Sequence, residues 1–225
     1  MHLNRSAFEW LQDQINRLGN IVVTAHEINY LSKTCPYLTP EFLIFLKTFR
    51  LQPETHVKLE FKPVTDGNEA GDIELTVSGR WLDTILYEIP LLALISESYF
   101  KFCDTDWDHA GQQERAKDKG LKLMEAGCVF SEFGSRRRRD YHTHQVVVQG
   151  LVDANMEAQE RGYSGKLSGT SNVHFAMKYG ITPVGTVAHE WFMGIAAITN
   201  DYKMANEKAL QYWIGTFGRG VSPGF

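Results

Sequence analysis

The sequence has few cysteines and no long apolar run. Its three cysteines, Cys35, Cys103 and Cys128, are odd in number and none lies in a CxxC pair, which argues against a disulfide framework and for a reducing compartment. The longest apolar stretch, ILYEIPLLALISESYF, is interrupted by Glu88 and Glu97. It is too short and too charged to span a bilayer, so we expect a buried helix here.

Positive net charge and a targeting segment are also absent. The formal net charge is −4 over 225 residues, so the chain as a whole has no electrostatic attraction for nucleic acid or an anionic membrane. The first residues, MHLNRSAFEW, lack the basic and then apolar pattern of a signal peptide. We therefore expect a soluble protein of the cytoplasm or the nucleus that binds neither nucleic acid nor membrane.

In residues 1–103, helix signals precede a strand pattern, which predicts an N-terminal α+β domain. Three pairs of residues predict helix starts: Ser6 with Glu9, Thr24 with Glu27, and Thr39 with Pro40. The period then changes to two in Val57–Phe61 and Ile73–Val77, which the turn-rich TDGNEAG separates. This pattern predicts a hairpin with one buried face. Asp83 is predicted to cap the apolar helix that follows.

Residues 104–225 alternate strands and helices. A polar helix runs to Gly127, and the short strands CVFSEF, KLSGT and TPVGTV follow, each with a turn and a helix signal after it. This order predicts an α/β fold with a parallel sheet or barrel, in which functional residues lie at the C-terminal ends of the strands. Three strands are too few to close a barrel, which usually needs about eight.

Four consecutive arginines, Arg136 to Arg139, follow the strand end FGS. One interpretation is a solvated basic turn or a localisation patch. The second is a nucleic-acid contact, which the acidic remainder of the chain and the lack of an aromatic platform disfavour. The third is phosphate binding, because arginine forks grip phosphate oxygens and the adjacent Gly134 lets the backbone approach.

The segment GTVAHEW places His189 between a strand and an apolar helix. A histidine here is either a hydrogen-bonded core residue or a nucleophile at the mouth of a site. Its place at a strand end, with Thr186 shortly before it, favours the second interpretation. The N-terminus of a helix also favours a bound anion and a neutral, nucleophilic imidazole.

Two further groups of residues suggest a metal ion, but each has a simpler interpretation. The stretch DTDWDH resembles a calcium loop, yet an EF-hand needs glycine at its sixth position and an acid at its twelfth, where this chain has His109 and Arg115. Its acids are instead predicted to cap the next helix. His142 and His144 are predicted to face solvent, so no metal site is assigned.

Four stretches together resemble the nicotinate phosphoribosyltransferases, most of all those of fungi. They are GRWLDTILYEIPLLALISE, FSEFGSRRRR, GTSNVHFAMKYGITPVGTVAHEW and ANEKALQYWIGTFG, and the resemblance extends from Asn4 to Gly218. It implies an N-terminal α+β domain followed by part of an irregular, TIM-like α/β barrel of the type II phosphoribosyltransferase kind.

The resemblance implies a reaction that joins nicotinate to phosphoribosyl pyrophosphate, giving nicotinate mononucleotide and pyrophosphate in NAD salvage. The reaction is coupled to hydrolysis of ATP with Mg²⁺ as counter-ion, and no prosthetic group is expected. The protein is expected to work as a homodimer with sites at the subunit interface. Sibling enzymes for nicotinamide or quinolinate are less similar in FSEFGSRRRR and GTVAHEW.

The resemblance also implies roles for single residues. His189 matches the histidine that ATP phosphorylates transiently, and Thr186 matches a threonine that contacts nicotinate. Phe133 matches an aromatic residue that stacks on the pyridine ring. The remaining candidates match the basic cluster at the phosphates or lie in the same pocket: Arg136, Arg137, Arg138 and Ser171.

Members of the family are much longer than this chain. We therefore expect a truncated chain that lacks an N-terminal segment and the C-terminal half of the barrel, and the tail GRGVSPGF does not resemble the family's continuation. The alternative hypothesis is a non-catalytic fragment of the enzyme with an incomplete active site.

Overall fold

Helices and an antiparallel sheet form the N-terminal part of the fold. The computed structural model describes residues 2–64 and 69–218. The helices of this part are α1 (Arg5–Arg17), α2 (Ala25–Thr34), α3 (Pro40–Thr48), α4 (Pro53–His56), α5 (Trp81–Thr84) and α6 (Glu88–Phe102). The strands are β1 (Leu3–Asn4), β2 (Val57–Pro63) and β3 (Ala70–Val77).

Side chains at the helix starts decide where the chain enters each helix. The predicted caps at Thr24 and Thr39 are confirmed, since each side chain accepts a hydrogen bond from the first turn of α2 or α3. The prediction for Ser6 is wrong, because Ser6 lies inside α1. The chain leaves strand β1 at Asn4, whose Oδ1 accepts a 2.8 Å hydrogen bond from the Ala7 N–H and caps the helix instead.

The predicted hairpin is confirmed, with Leu59 opposite Leu75 in an antiparallel register. Strand β1 pairs with the other edge of β3, so the strand order is β1-β3-β2. Apolar side chains of the sheet pack against helices α1 and α6 and form a first core. Its buried residues are Leu3, Ala7, Leu11, Ile15, Leu18, Tyr87 and Leu91. Residues 65–68 of the predicted turn TDGNEAG lie outside the described residues.

The apolar helix predicted after the hairpin is divided into α5, a 3₁₀ turn at Ile85–Tyr87, and α6. The prediction that Asp83 caps it is wrong, because Asp83 lies inside α5 and accepts a 2.6 Å hydrogen bond from Arg80 Nε. Pro90 lies in the first turn of α6, where the missing N–H has no intrahelical partner to lose. Over the two described ranges, no helix combines the length and the hydropathy needed to cross a membrane.

Strand–helix alternation characterises the C-terminal part, as predicted. Its elements are α7 (Gln112–Glu125), β4 (Val129–Glu132), α8 (Tyr141–Glu160), β5 (Lys166–Thr170), α9 (Val173–Tyr179), α10 (His189–Thr199) and α11 (Ala205–Phe217). Strands β4 and β5 pair in parallel across the crossover helix α8. The mixed α/β class is therefore confirmed, while the division into domains at residue 103 stays a prediction.

The prediction that TPVGTV forms a full strand is wrong. In this segment, the structure has a single β-bridge, between Pro183 and Thr170. The Thr170 N–H donates to the Thr182 carbonyl at 3.1 Å, and the Thr170 carbonyl accepts from the Val184 N–H at 3.0 Å. Strand β5 ends at Thr170, so the pairing between the two segments is limited to this bridge. The chain therefore runs as a loop to the start of α10.

Helix α7 begins without a side-chain cap, so the prediction for the acids of DTDWDH is also wrong. The N-cap residue is Gly111, with φ of 68°. This left-handed conformation suits glycine and turns the chain directly into the helix. Asp108 instead accepts a 3.0 Å hydrogen bond from the Ala110 N–H, which fixes the turn before the helix.

Helices α7 and α8 pack on strands β4 and β5 around a second core. Its buried residues are Met124, Ala154, Ala158 and Leu167. The two helices approach closely at Gly150, where a β-carbon would clash with the Gln113 carbonyl of α7. Close packing here holds the C-terminal ends of the two strands in place, and those ends lead into the candidate site.

Candidate active site

A cleft of about 240 Å³ lies where the C-terminal ends of β4 and β5 meet the start of α10. Five residues predicted for the site line it: Phe133, Arg136, Ser171, Thr186 and His189. Three separate chain segments supply them, after β4, after β5 and before α10. Ile89 of α6 also lines the cleft, so the N-terminal part of the chain contributes a wall.

His189 is the first residue of α10 and is exposed to solvent. Its interpretation as a buried core histidine is therefore wrong. The N-cap residue, Ala188, has no side-chain acceptor, so no side chain satisfies the first-turn N–H groups of α10. These groups and the helix dipole produce a positive potential beside His189, which favours an anion there.

Two tryptophans and a glutamate hold the start of α10 against α5. Trp81 Nε1 donates a 2.5 Å hydrogen bond to Glu190 Oε1, and the rings of Trp81 and Trp191 stack with their centroids 5.9 Å apart. Gly194, one turn further along α10, makes room for the Trp81 ring, which a β-carbon there would meet. The sequence did not predict this contact, although Glu190 and Trp191 belong to the motif GTVAHEW that was identified from it.

Arg136 is held at the edge of the cleft by an ion pair. Its Nε donates a 2.9 Å hydrogen bond to Glu88 Oε1 at the start of α6. Both side chains are partly exposed, so the pair orients the guanidinium more than it stabilises the fold. The remaining N–H groups of Arg136 are left to bind an anion.

Glu132, the last residue of β4, is a buried acid below the cleft that sequence reasoning also missed. Its Oε1 accepts hydrogen bonds from the Gly134 N–H and, at 3.0 Å, from His144 Nε2, while Oε2 accepts from Thr170 Oγ1 at 2.6 Å. Burial raises the pKa of Glu132, but these hydrogen bonds outweigh burial and hold it below its ordinary value. The available signal was a charged residue within the predicted strand CVFSEF, in which most other residues are apolar.

Arg137 and Arg138 line a different cavity, of about 570 Å³, on the side of α7 and α8. His144 also lines this cavity and is 3% exposed, so the prediction that it faces solvent is wrong. Burial follows from its place one turn into α8, where it faces Glu132 and packs edge-on against Phe175. His142 is exposed, as predicted.

Potential metal ligands are scattered in the described part of the chain. In residues 2–64 and 69–218, no three His, Cys, Asp or Glu side chains come together in a group that could hold a metal ion.

Family models match most of the chain. The nicotinate phosphoribosyltransferase N-terminal domain matches residues 1–96, and the nicotinate phosphoribosyltransferase family model matches residues 128–223. The chain belongs to the nicotinate phosphoribosyltransferase family. The resemblance predicted from the four sequence stretches is thereby confirmed, and the family is one of phosphoribosyltransferase enzymes.

Individual relatives agree with the family models. A protein described as a nicotinate phosphoribosyltransferase in Schizosaccharomyces pombe is 50% identical over 97% of this chain and 51% of its own length. The nicotinate phosphoribosyltransferase of Saccharomyces cerevisiae is 45% identical over 96% of this chain and 50% of its own length. The chain thus spans about half the length of these curated relatives.

Solved structures of relatives have the same fold as this chain over about half of their own length. A crystal structure of a Saccharomyces cerevisiae protein described as a nicotinate phosphoribosyltransferase superposes with a TM-score of 0.91 at 44% identity, covering 96% of this chain and 52% of that one. The Porphyromonas gingivalis nicotinate phosphoribosyltransferase superposes with a TM-score of 0.76 at 31% identity, covering 96% and 53%. The order of elements around the cleft is therefore that of the family.

Proposed function

We propose that the protein is a nicotinate phosphoribosyltransferase that forms nicotinate mononucleotide and pyrophosphate from nicotinate and phosphoribosyl pyrophosphate. The single observation that carries the proposal is the cleft at the strand ends, which gathers Phe133, Arg136, Ser171, Thr186 and His189 in a chain of this family. The relatives are named for this reaction, and this chain spans half of their length.

Nicotinate is proposed to bind through its flat ring and its carboxylate. The Phe133 side chain is 48% exposed at the cleft, so its ring face is available for stacking on a pyridine ring. Thr186 is exposed in the same cleft and offers a hydroxyl, and Arg136 offers a guanidinium whose direction Glu88 fixes. This set provides a stacking face, a hydrogen bond and a positive charge for a small aromatic acid.

His189 is proposed to carry the coupling to ATP. A ring nitrogen attacks the γ-phosphorus of ATP, an N–P bond forms, and the P–O bond to ADP breaks; water later hydrolyses the phosphohistidine to phosphate. The exposed position of His189 permits access by ATP, and the uncapped start of α10 favours the added negative charge.

Phosphoribosyl transfer itself requires placement and charge stabilisation more than a strong base. Pyrophosphate leaves the anomeric carbon as the nicotinate nitrogen bonds to it, and positive charge near the leaving group stabilises the transition state. We propose that Mg²⁺ enters on the phosphates of the substrates, and that a homodimer completes the site, as the resemblance implies. Arg136 and the start of α10 supply positive potential from this chain.

The test is formation of nicotinate mononucleotide by the purified protein with nicotinate, phosphoribosyl pyrophosphate, Mg²⁺ and ATP. His189→Ala is expected to abolish ATP stimulation and the acid-labile label from γ-³²P-ATP, because no nitrogen remains to accept the phosphoryl group. His142→Ala is the matched control, since His142 is exposed and does not line the cleft. Unchanged ATP-stimulated turnover in His189→Ala would contradict the role of His189.

The alternative is a non-catalytic chain; this chain spans about half the length of the relatives it matches. It predicts no nicotinate mononucleotide from a folded protein whose circular dichroism and cooperative melting are intact. If His189 is labelled but no nicotinate mononucleotide forms, the chain carries out phosphorylation by ATP but not phosphoribosyl transfer.

A further inference from the structure

The start of helix α10, which carries His189, depends on side-chain contacts for its position. Residues 184–188 lead into it as an irregular loop, and the helix itself packs mainly on α11. His189 lies where two cavities meet, the cleft of about 240 Å³ and a second cavity of about 680 Å³ on the side of α5. The direction of its imidazole between these cavities therefore follows from whatever holds the first turn of α10.

Trp81 of α5 ties this turn to the N-terminal part of the chain. Its Nε1 donates a 2.5 Å hydrogen bond to Glu190 Oε1, and its ring stacks on that of Trp191. A β-carbon at Gly194 would lie 2.5 Å from the Trp81 ring, so glycine there permits the close approach. Trp191 Nε1 in turn donates to the Ala209 carbonyl of α11 at 3.1 Å. The indole of Trp81 is thus held in one place, with its N–H directed at the residue after His189.

The bond between Trp81 and Glu190 joins an N–H to a carboxylate at a half-buried position. Hydrogen bonds to charged groups are stronger than those between neutral groups. Glu190 lies in the first turn of α10, next to His189, so a change in its anchoring moves the backbone that carries the imidazole. Misplacing a reacting group by about 1 Å lowers a rate by as much as about 100-fold. The contact is therefore close enough to the proposed nucleophile to affect its chemistry.

The same contact gives the Glu190 carboxylate a role other than proton transfer. A carboxylate that pointed at His189 would act as its acid–base partner and would repel the phosphates of a nucleotide. In the structure, Glu190 Oε1 accepts from the indole of Trp81 instead. A negative charge in the first turn also stabilises α10 through the helix dipole. These observations favour an anchor over a base.

The segment of residues 81–88 also reaches the other side of the cleft. Glu88, at the start of α6, accepts the 2.9 Å hydrogen bond from Arg136 Nε, and it lines the larger cavity together with Trp81. One short segment of the N-terminal part therefore contacts both the turn that carries His189 and the arginine at the cleft.

We propose that Trp81 and Glu190 form a positioning pair for His189. The indole N–H anchors the carboxylate of the residue after the nucleophile, and this fixes the direction of the imidazole between the two cavities. The inference rests on the proposed function in one respect, that His189 accepts the phosphoryl group of ATP. Both members of the pair act through the start of α10 and not on the reacting atoms.

Labelling of the purified protein by γ-³²P-ATP, at a temperature well below its melting transition, tests the positioning pair. Trp81→Phe keeps a ring and removes the N–H, and Glu190→Ala removes the acceptor. Each is expected to slow labelling of His189 by about tenfold, the effect of losing one charge-assisted hydrogen bond. The double variant is expected to be no slower than either single variant, because both changes remove the same interaction. Glu190→Gln is expected to retain most of the wild-type rate, since its amide oxygen still accepts from the indole.

Trp107→Phe is the matched control. Trp107 is half-buried like Trp81, and its Nε1 donates to the carbonyls of Phe100 and Asp104 at 3.0 and 2.9 Å. It lines neither of the two cavities that meet at His189. The change removes an indole hydrogen bond elsewhere in the fold and is expected to leave the labelling rate unchanged.

A second measurement does not depend on the reaction. Nitrogen NMR of protein labelled with ¹⁵N-histidine detects the imidazole of His189, whose signals are assigned by their loss in His189→Ala. Trp81→Phe and Glu190→Ala are expected to shift or broaden these signals, because the imidazole then samples more than one direction. Glu190→Gln and Trp107→Phe are expected to leave them in place.

The two measurements separate the positioning pair from the proposed reaction. A wild type that takes up no label, but whose His189 signals change in Trp81→Phe and Glu190→Ala, would support the pair and contradict the phosphohistidine. Unchanged His189 signals in both variants would overturn the pair, whether or not the protein is labelled. Equal slowing by Glu190→Gln and Glu190→Ala would also overturn it, because the carboxylate charge would then act on His189 directly. If Trp81→Phe fails to fold, the two Glu190 variants decide the same question.

Discussion

At the scale of single residues, Glu132 connects the fold to the candidate site. Its carboxylate joins the end of β4 to Thr170 at the end of β5 and to His144 in α8. It also accepts from the N–H of Gly134, at the loop that carries Phe133 and Arg136. The hydrogen bonds of one buried acid therefore tie together the ends of β4 and β5, which lead into two of the segments that line the cleft.

Substitution of this acid tests its contribution. Glu132→Gln keeps the shape but removes the charge and supplies donors where the site needs acceptors, so we expect it to lower the free energy of unfolding at neutral pH by about 1–3 kcal/mol. Urea denaturation measures the change. Glu114→Gln, at an exposed position of α7, is the control and is expected to leave stability unchanged. Equal effects of the two changes would contradict the structural role of Glu132.

The pH dependence of that difference follows from the direction of the pKa shift. Because the pKa of Glu132 is lowered in the folded state, its contribution is fully present above the unfolded pKa of about 4.3 and is lost as the pH falls through the folded pKa. We therefore expect the wild type to lose its advantage over Glu132→Gln in acid. An advantage that grows as the pH falls would show that the acid is not stabilised as an anion.

At the residue scale, the sequence could place candidate residues where the signal was local. Phe133 is the last residue of a predicted strand, Ser171 and His189 follow predicted strands, and all three line the cleft. Partners distant in the chain were missed, such as Glu88 for Arg136 and Trp81 for Glu190, because no local pattern brings residues so far apart together.

At the scale of elements, the packing of α7 on α8 supports the site from behind. Gly150→Ala is expected to lower the free energy of unfolding by about 1–3 kcal/mol, because the added methyl group clashes with the Gln113 carbonyl and separates the helices. Gly215→Ala in α11 is the matched control. Open space surrounds Gly215, so alanine there is expected to be neutral or stabilising by up to about 1 kcal/mol through helix propensity. Denaturation curves that show no difference between the two variants would contradict the close approach.

Element boundaries depended on contacts beyond the local pattern. The hairpin and the caps at Thr24 and Thr39 were predictable, because alternation and capping act over a few residues. The cap of α1 is Asn4 and not the predicted Ser6, because the pairing of β1 with β3 fixes the residue at which the strand ends. The segment around Pro183 has a strand-like sequence but pairs with β5 through a single bridge.

At the scale of the whole molecule, a broad apolar cleft of about 400 Å³ lies beside the Trp81–Trp191 stack. It is lined by Phe42, Phe45, Trp81, Leu82, Ile85, Leu86 and Trp191. Exposed apolar patches of this kind bind apolar probes and promote association. The cleft joins α3, α5 and α10, so it depends on the complete fold of the described chain.

A dye-binding measurement checks this surface. The protein is expected to enhance fluorescence of an anilinonaphthalene sulfonate dye, and Leu82→Lys is expected to reduce the enhancement by placing a charge in the cleft, with little effect on stability because Leu82 is 55% exposed. Leu123→Lys, 44% exposed on α7 and outside the cleft, is the control and is expected to leave dye binding unchanged. Equal dye binding by the Leu82 variant and the wild type would show that the cleft is not the apolar surface that the dye detects.

The amino-acid sequence by itself determined the family, the mixed α/β class, the helix caps at Thr24 and Thr39, the hairpin and the placement of candidate residues at the strand ends, because each of these depends on short motifs or local periodicity. Tertiary structure alone decided that His144 is buried against Glu132, that Glu88 holds Arg136, and that Arg137 and Arg138 face a cavity other than that of His189. Burial and charge pairing are properties of surfaces that meet only after the chain has folded, and residues far apart in sequence supply those surfaces.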